Sequence, residues 1–301
     1  MSQRGNDHTI ISSFFAVEKE FALKRFFMIP LLVVLLAGCG GGQDSVSSLD
    51  GVPIAFEKTG EGDVSLVLVH GWCCDQTYWR DQAIALSDSF TVVTLDLAGH
   101  GESGMGRTDY TVTAFGADVA AVVAALGLHN VYLIGHSMGG PVVVEAARML
   151  PEQVVGVIGV DTLQDLGWNL PDAQVDGFMK PLVDDFSGAT AKFVRVMFPA
   201  GADTALVRQV SEDMAAAPPE VALSAMRNML QHDLKPTLTQ LEVPIWCLNA
   251  NQTPVDFQAW KVYGPGYTAV LMEGVGHFLF MEQPEEFNTK LRGMIGRMGN
   301  K

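Results

Sequence analysis

The sequence predicts an α/β fold: a mostly parallel central sheet with helices on both faces and a helical cap inserted late in the chain. Three observations lead there. Short, continuously apolar runs recur between residues 52 and 298, and stretches of helical spacing lie between them. Continuous rather than alternating apolar runs belong to strands covered on both faces, as parallel strands are. Residues 162–235 interrupt this alternation with helical patterns and no convincing strand. About 70 residues of that kind exceed an ordinary connection.

The strands follow in order. Residues 65–69 (SLVLV) are rich in branched side chains and end at His70-Gly71. Residues 90–95 (FTVVTL) end at Asp96, 131–134 (VYLI) at Gly135, and 154–160 (VVGVIGV) at Asp161. Residues 244–248 (PIWCL) end at Asn249, and 267–272 form the last run. Helices are predicted over 78–86, 114–126, 141–150 and 285–298, with Pro284 suited to a first helical turn. Strand–helix alternation of this kind implies right-handed crossovers. Within 162–235 the helical patterns are 189–197, 206–216 and 219–231. Such an insertion is expected to cover the carboxyl edge of the sheet, where open α/β folds bind ligands.

Composition narrows the function classes. Hydrophobic residues make up 48% and charged residues 18% of the 301, a globular rather than disordered balance. A formal net charge of -15 repels phosphate backbones and anionic lipid, which speaks against a nucleic-acid partner. Any membrane connection must come from a separate device.

The N-terminus offers one. Residues 26–37 are apolar and follow Lys24 and Arg25. A run of about 12 residues is too short to span a bilayer but suits a signal peptide. It ends in Leu36-Ala37-Gly38-Cys39, followed by Gly40-Gly41-Gly42-Gln43-Asp44-Ser45. The ending resembles a bacterial lipoprotein signal. That resemblance implies lipidation of Cys39, removal of residues 1–38, a tether over 39–50 and a folded domain over 51–301. Gly40 in place of aspartate implies outer-membrane sorting where an outer membrane exists, so the expected location is the cell envelope. A lipid chain anchors without spanning. Charges before Cys39 nearly cancel, so the acidity belongs to the folded part. The other cysteines, Cys73, Cys74 and Cys247, read as buried thiols; no spacing suggests a metal site.

Chemistry enters at Gly135-His136-Ser137-Met138-Gly139, a G-x-S-x-G pentapeptide with a strand before it and a helix after it. In that context the serine sits on a sharp turn that projects its oxygen into the cleft. A serine hydroxyl needs a base. Of seven histidines, His277 follows the final strand in Gly274-Val275-Gly276-His277, which brings it to the same sheet edge. His129 and His232 read as surface residues. His70 and His100 read as turn residues, and His136 is expected to point away from the reacting face.

The segments Val69-His70-Gly71-Trp72, Asp96-Leu97-Ala98-Gly99-His100-Gly101-Glu102-Ser103, Gly135-His136-Ser137-Met138-Gly139-Gly140 and Gly274-Val275-Gly276-His277 resemble the α/β-hydrolase superfamily in order and spacing. The resemblance covers residues 52–298. It implies an oxyanion hole formed by the backbone amides of Trp72 and Met138, and a structural turn over 96–103. Many members carry their acid in a G-x-x-D-P loop, but this chain has Ala250-Asn251-Gln252-Thr253-Pro254, with Thr253 at the acid's place. Asp161, one strand after the nucleophile, is the preferred substitute, as in some lipases and dehalogenases of this fold. Asp165 and Asp256 are the alternatives.

The expected activity is hydrolysis of a small or medium hydrophobic ester through an acyl-enzyme, with no cofactor and no metal. The cap residues Phe178, Met179, Phe186, Phe193, Met197, Phe198 and Met214 supply candidates for an apolar acyl pocket. A ligand sensor of the same fold with little turnover is the competing class, and a peroxidase-like side activity a third reading.

Overall fold

In a computed structural model the described residues are 44–166, 169–264 and 266–299. The signal peptide expected over 1–38, and Cys39, lie outside them. The sheet has eight strands: β1 (Ser45–Ser47), β2 (Pro53–Thr59), β3 (Ser65–Val69), β4 (Thr91–Leu95), β5 (Val131–His136), β6 (Val154–Val160), β7 (Ile245–Ala250) and β8 (Thr268–Met272). Their spatial order is β1-β2-β4-β3-β5-β6-β7-β8. From β4 to β8 every pair is parallel; β1 and β2 join antiparallel at one edge. This is the mostly parallel sheet expected. β3, β4 and β5 are buried at every position, which explains their unbroken apolar runs.

One edge of the sheet is formed before residue 51. Ser45–Ser47 falls in the expected tether, yet it pairs with β2 through Ser45 opposite Ala55 and Ser47 opposite Pro53. The ordered domain therefore begins earlier than residue 51. Ion pairs hold this segment down: Arg107 reaches both Asp50 and the buried Asp118 at 2.7 Å. Ser48 donates to Asp118 as well.

Helices α1 (Arg80–Leu86), α2 (Val112–Ala125) and α3 (Gly139–Met149) follow β3, β4 and β5. α2 packs on α3, and α1 packs on the C-terminal helix (Pro284–Met298), giving two helical layers. Between β6 and β7 the expected insertion consists of α4 (Asp172–Asp184), α5 (Phe186–Val196), α6 (Thr204–Ala215) and α7 (Pro219–Gln231), with a short α8 (Lys235–Leu238) leading back to the sheet. α4, for which no helix is expected from sequence, contains Gly177 and Pro181, both poor helix residues. Burial decides instead: Val175, Met179 and Leu182 recur on one face and all are buried. After β7 come α9 (Phe257–Tyr263), β8, α10 (Leu279–Glu282) and α11 (Pro284–Met298).

Candidate active site

Ser137 occupies the sharp turn between β5 and α3 with φ +52°, a conformation that favours glycine. A non-glycine residue there is strained by about 1–2 kcal/mol, so the surroundings must hold it. Three hydrogen bonds do so. Its N–H donates to the Val160 carbonyl at 3.0 Å, and its own carbonyl accepts from Gly140 N–H at 2.9 Å and Thr162 Oγ1 at 2.8 Å. The flanking glycines are explained by backbone proximity. A Cβ on Gly139 would sit 2.7 Å from the Val69 carbonyl oxygen, and one on Gly135 would collide with the Gly139 carbonyl. Strand and helix close on each other only because both positions lack side chains.

The β8–α10 loop carries His277 to the same edge. His277 Nδ1 and Asp161 Oδ2 are 2.6 Å apart. Asp161 ends β6 at φ +43°, and its other oxygen accepts from Ala250 N–H at 2.9 Å and Gln164 Nε2 at 3.3 Å. A carboxylate with both oxygens engaged presents one fixed acceptor to the imidazole. The alternatives lie elsewhere. Asp256 caps α9 through Gln258 and Ala259, and Asp165 is exposed on the cavity wall. Thr253 also lines the cavity, without a carboxylate to offer. Asp161, and none of the alternatives, is the carboxylate that hydrogen-bonds to His277 among the described residues.

Three contacts position the His277 loop. His277 N–H donates to the Met197 carbonyl at 2.8 Å, Gly276 N–H to Glu282 Oε1 at 2.9 Å, and His136 Nε2 to the His277 carbonyl at 3.0 Å. His136 was expected to face away. Instead it is buried, lines the cavity and lies 4.6 Å from the His277 ring. Burial, and then the neighbouring His277 ring, hold its pKa well below the usual imidazole range. A neutral ring fits the contacts: Nε2 has an acceptor, while buried Nδ1 has no partner.

Trp72 and Met138 flank Ser137. Among the described residues neither backbone N–H donates to a protein acceptor. The turn carrying the first is fixed by His70, a role the sequence reading missed. His70 Nδ1 donates to the Gly71 carbonyl at 2.8 Å, and its Nε2 accepts from Leu97 N–H at 3.0 Å. Because a peptide is planar and trans, holding the Gly71 carbonyl on one side aims the Trp72 N–H to the other. Burial depresses His70 to about 4, so the ring is neutral with both nitrogens used. The neighbouring loop at 96–103 behaves as a turn: Asp96 accepts from Gln76 N–H at 2.7 Å and Glu102 N–H at 2.9 Å.

These groups meet in a cavity of about 360 Å³ beneath the cap. Of the apolar cap residues proposed from sequence, Phe178, Phe193, Met197 and Met214 line it. Met179 and Phe198 are buried in the packing, and Phe186 lies edge-on to Trp72. His232, expected at the surface, also lines the cavity. Cys73, Cys74 and Cys247 are buried free thiols. Among the described residues no group of three or more His, Cys, Asp or Glu side chains could hold a metal ion.

Residues 66–290 match the model of the alpha/beta hydrolase family. The chain is 27% identical over 264 residues to the dihydrolipoyllysine-residue acetyltransferase component of the acetoin cleaving system of Cupriavidus necator, covering 83% of this chain and 68% of that protein. It is 26% identical to the pimeloyl-[acyl-carrier protein] methyl ester esterase of Aliivibrio salmonicida, covering 80% of this chain and 95% of the esterase. A solved thermophilic esterase from Thermogutta terrifontis superposes with a TM-score of 0.75 at 26% identity, over 85% of this chain and 99% of its own.

Proposed function

The chain belongs to the alpha/beta hydrolase family, and from that premise we propose that it is a serine esterase acting on a small or medium, mainly apolar ester. The observation that carries the reading is the 2.6 Å contact between His277 and Asp161 beside a serine held at φ +52° in a cavity. In this mechanism Ser137 Oγ attacks the ester carbonyl carbon and passes its proton to His277 Nε2. Asp161 accepts from Nδ1, fixes the tautomer and stabilises the imidazolium. The oxyanion rests on the N–H groups of Trp72 and Met138, each worth about 10²–10³ in rate. His277 then returns the proton to the departing alkoxide. Water, deprotonated by His277, cleaves the acyl-serine and regenerates the hydroxyl.

The esterase names among the relatives support the reaction class. The sensor reading drew its force from the missing loop aspartate, and Asp161 beside His277 weakens that ground. The test is hydrolysis of a short-chain aryl ester by the chain from residue 39 with Cys39 replaced. Ser137→Ala and His277→Ala should lose about 10³-fold or more, and Asp161→Asn about 10³–10⁴-fold. No turnover by the parent, together with failure of a serine-reactive phosphonate to label Ser137, would overturn the reading. The same construction of residues 24–45 supports a lipid anchor on Cys39. Replacing Cys39 should release the protein from the membrane fraction, and retention there would refute the anchor.

A further inference from the structure

The cap side of the cavity is apolar except at few places, and one of them is built from the interior outward. His232, just past α7, lines the cavity among Met226, Met229, Leu166 and Leu234. Its Nε2 donates to Glu145 Oε1 at 3.2 Å. Glu145 lies on α3, the helix that begins at the Ser137 turn, and is itself buried. Thr237 Oγ1 donates to the same oxygen at 2.5 Å, and Arg148 reaches the other at 3.0 Å. Burial pushes this carboxyl up, but the bonds from His232, Thr237 and Arg148 outweigh it and hold Glu145 at about 2. Glu145 therefore offers Nε2 an ionised acceptor near neutral pH, and this bond orients the ring.

That leaves Nδ1. Among the described residues it has no protein partner. With Nε2 donating to Glu145, Nδ1 presents a lone pair and accepts. Bare hydrocarbon filling the cavity would strip water from this nitrogen and give nothing back, whereas a hydroxyl on the substrate would donate to it. Asp161 and Asp165 line the same cavity and disfavour a carboxylate there. A hydroxyl group meets both conditions. We propose that His232, held by Glu145, is a specificity-determining residue that selects acyl chains carrying a hydroxyl group at the end far from the scissile ester. α3 begins at Gly139, two residues beyond Ser137, and Glu145 lies about 9 Å further along its axis, within reach of a medium-length acyl chain.

The inference rests on the esterase reading only for its kinetic half. Methyl heptanoate, methyl 6-oxoheptanoate and methyl 6-hydroxyheptanoate are compared as substrates of the parent, His232→Leu and His232→Gln. The parent should favour the hydroxy ester, which can donate, over both others in kcat/KM by about tenfold, the equivalent of about 1.4 kcal/mol. His232→Leu should abolish the preference by raising KM for the hydroxy ester alone, and His232→Gln, which keeps an accepting amide oxygen, should retain part of it. Heptanamide and 6-hydroxyheptanamide, bound without turnover and read by tryptophan fluorescence, give the same ratio as dissociation constants. Loss of turnover on every ester then counts against the esterase reading, and the binding ratio alone decides this one. His232→Phe replaces the Leu variant if that one does not fold. Equal affinity of the parent for the two amides, or a preference that survives both Leu and Phe, would overturn the proposal.

Discussion

His70 and Asp161 each engage neighbours through both polar atoms of the side chain. His70 fills the space behind the Gly71-Trp72 peptide, with one nitrogen donating to the Gly71 carbonyl and the other accepting from Leu97. Replacing it by Leu should leave the Leu97 N–H buried without a partner and the Gly71 carbonyl with only the longer bond from Cys74 N–H at 3.3 Å, at a cost of about 1–3 kcal/mol in stability. It should also let the Trp72 amide tilt. We expect kcat on an aryl ester to fall by about 10²-fold with KM changed by less than threefold. A fall in stability with kcat intact would show that the ring only fills space. The two positions also show what a sequence can disclose at this scale. Ser137 and His277 were legible because a local pattern and chain order place them. Asp161 was legible as a strand-ending carboxylate, but its choice over Asp165 and Asp256 depends on the distance to Nδ1, which no spacing states. His70 was hidden because its role passes through a peptide plane rather than its own reactivity, and His232 because a cap residue reads as surface until its partner on α3 is seen.

At the scale of elements, the cap is tied to Trp72 and His277 as well as covering them. Trp72 Nε1 donates to the Ala222 carbonyl of α7 at 2.7 Å, and His277 N–H donates to Met197 at the end of α5 at 2.8 Å. One bond thus reaches the Gly71-Trp72 turn and the other the loop that carries His277. Phe186 and Phe193 pack edge-on to the Trp72 indole at 6.1 and 6.2 Å, so the ring sits in an aromatic socket on the cap. Trp72→Phe removes the bond but keeps most of the packing. The expected outcome is about 1 kcal/mol off the unfolding free energy and about a tenfold lower kcat, because the carbonyl of Ala222 loses its donor and the turn its tether. Equal stability and rate would mean that the turn is held from the sheet alone. The elements themselves were legible in proportion to their burial. β3, β4 and β5 are covered on both faces and announce themselves as apolar runs. β2 has one end exposed, through Glu57, Lys58 and Thr59, so its pattern dissolves, and the three residues of β1 carry none.

For the molecule as a whole, acid is the condition that should matter most. His70, His100 and His136 are all buried, and desolvation holds His70 at about 4, His100 at about 3 and His136 well below its usual range. Each is neutral when folded and takes up a proton near pH 6.5 when unfolded. A depressed imidazole pKa means that the unfolded chain binds the extra proton first. These groups therefore leave stability intact above about pH 6.5 and remove it as pH falls toward 4, by up to about 1.4 kcal/mol per group per pH unit. Glu145 acts at lower pH: held at about 2, it stabilises above its unfolded range and loses that contribution only as pH falls from about 4.5 toward 2. Asp96, Asp118, Asp213 and Glu282 are raised by burial, so their contribution runs the other way and blunts the slope. Three strongly depressed imidazoles against four carboxyls that hydrogen bonds partly compensate still leave a net loss between pH 6.5 and 5. The urea midpoint should fall by an amount equivalent to several kcal/mol over that range, and His100→Asn should reduce the fall by removing one titrating group. A midpoint independent of pH from 7 to 5 would mean that these rings take up protons as readily inside the fold as in the unfolded chain, and would undo the neutral tautomers assigned to His70 and His136.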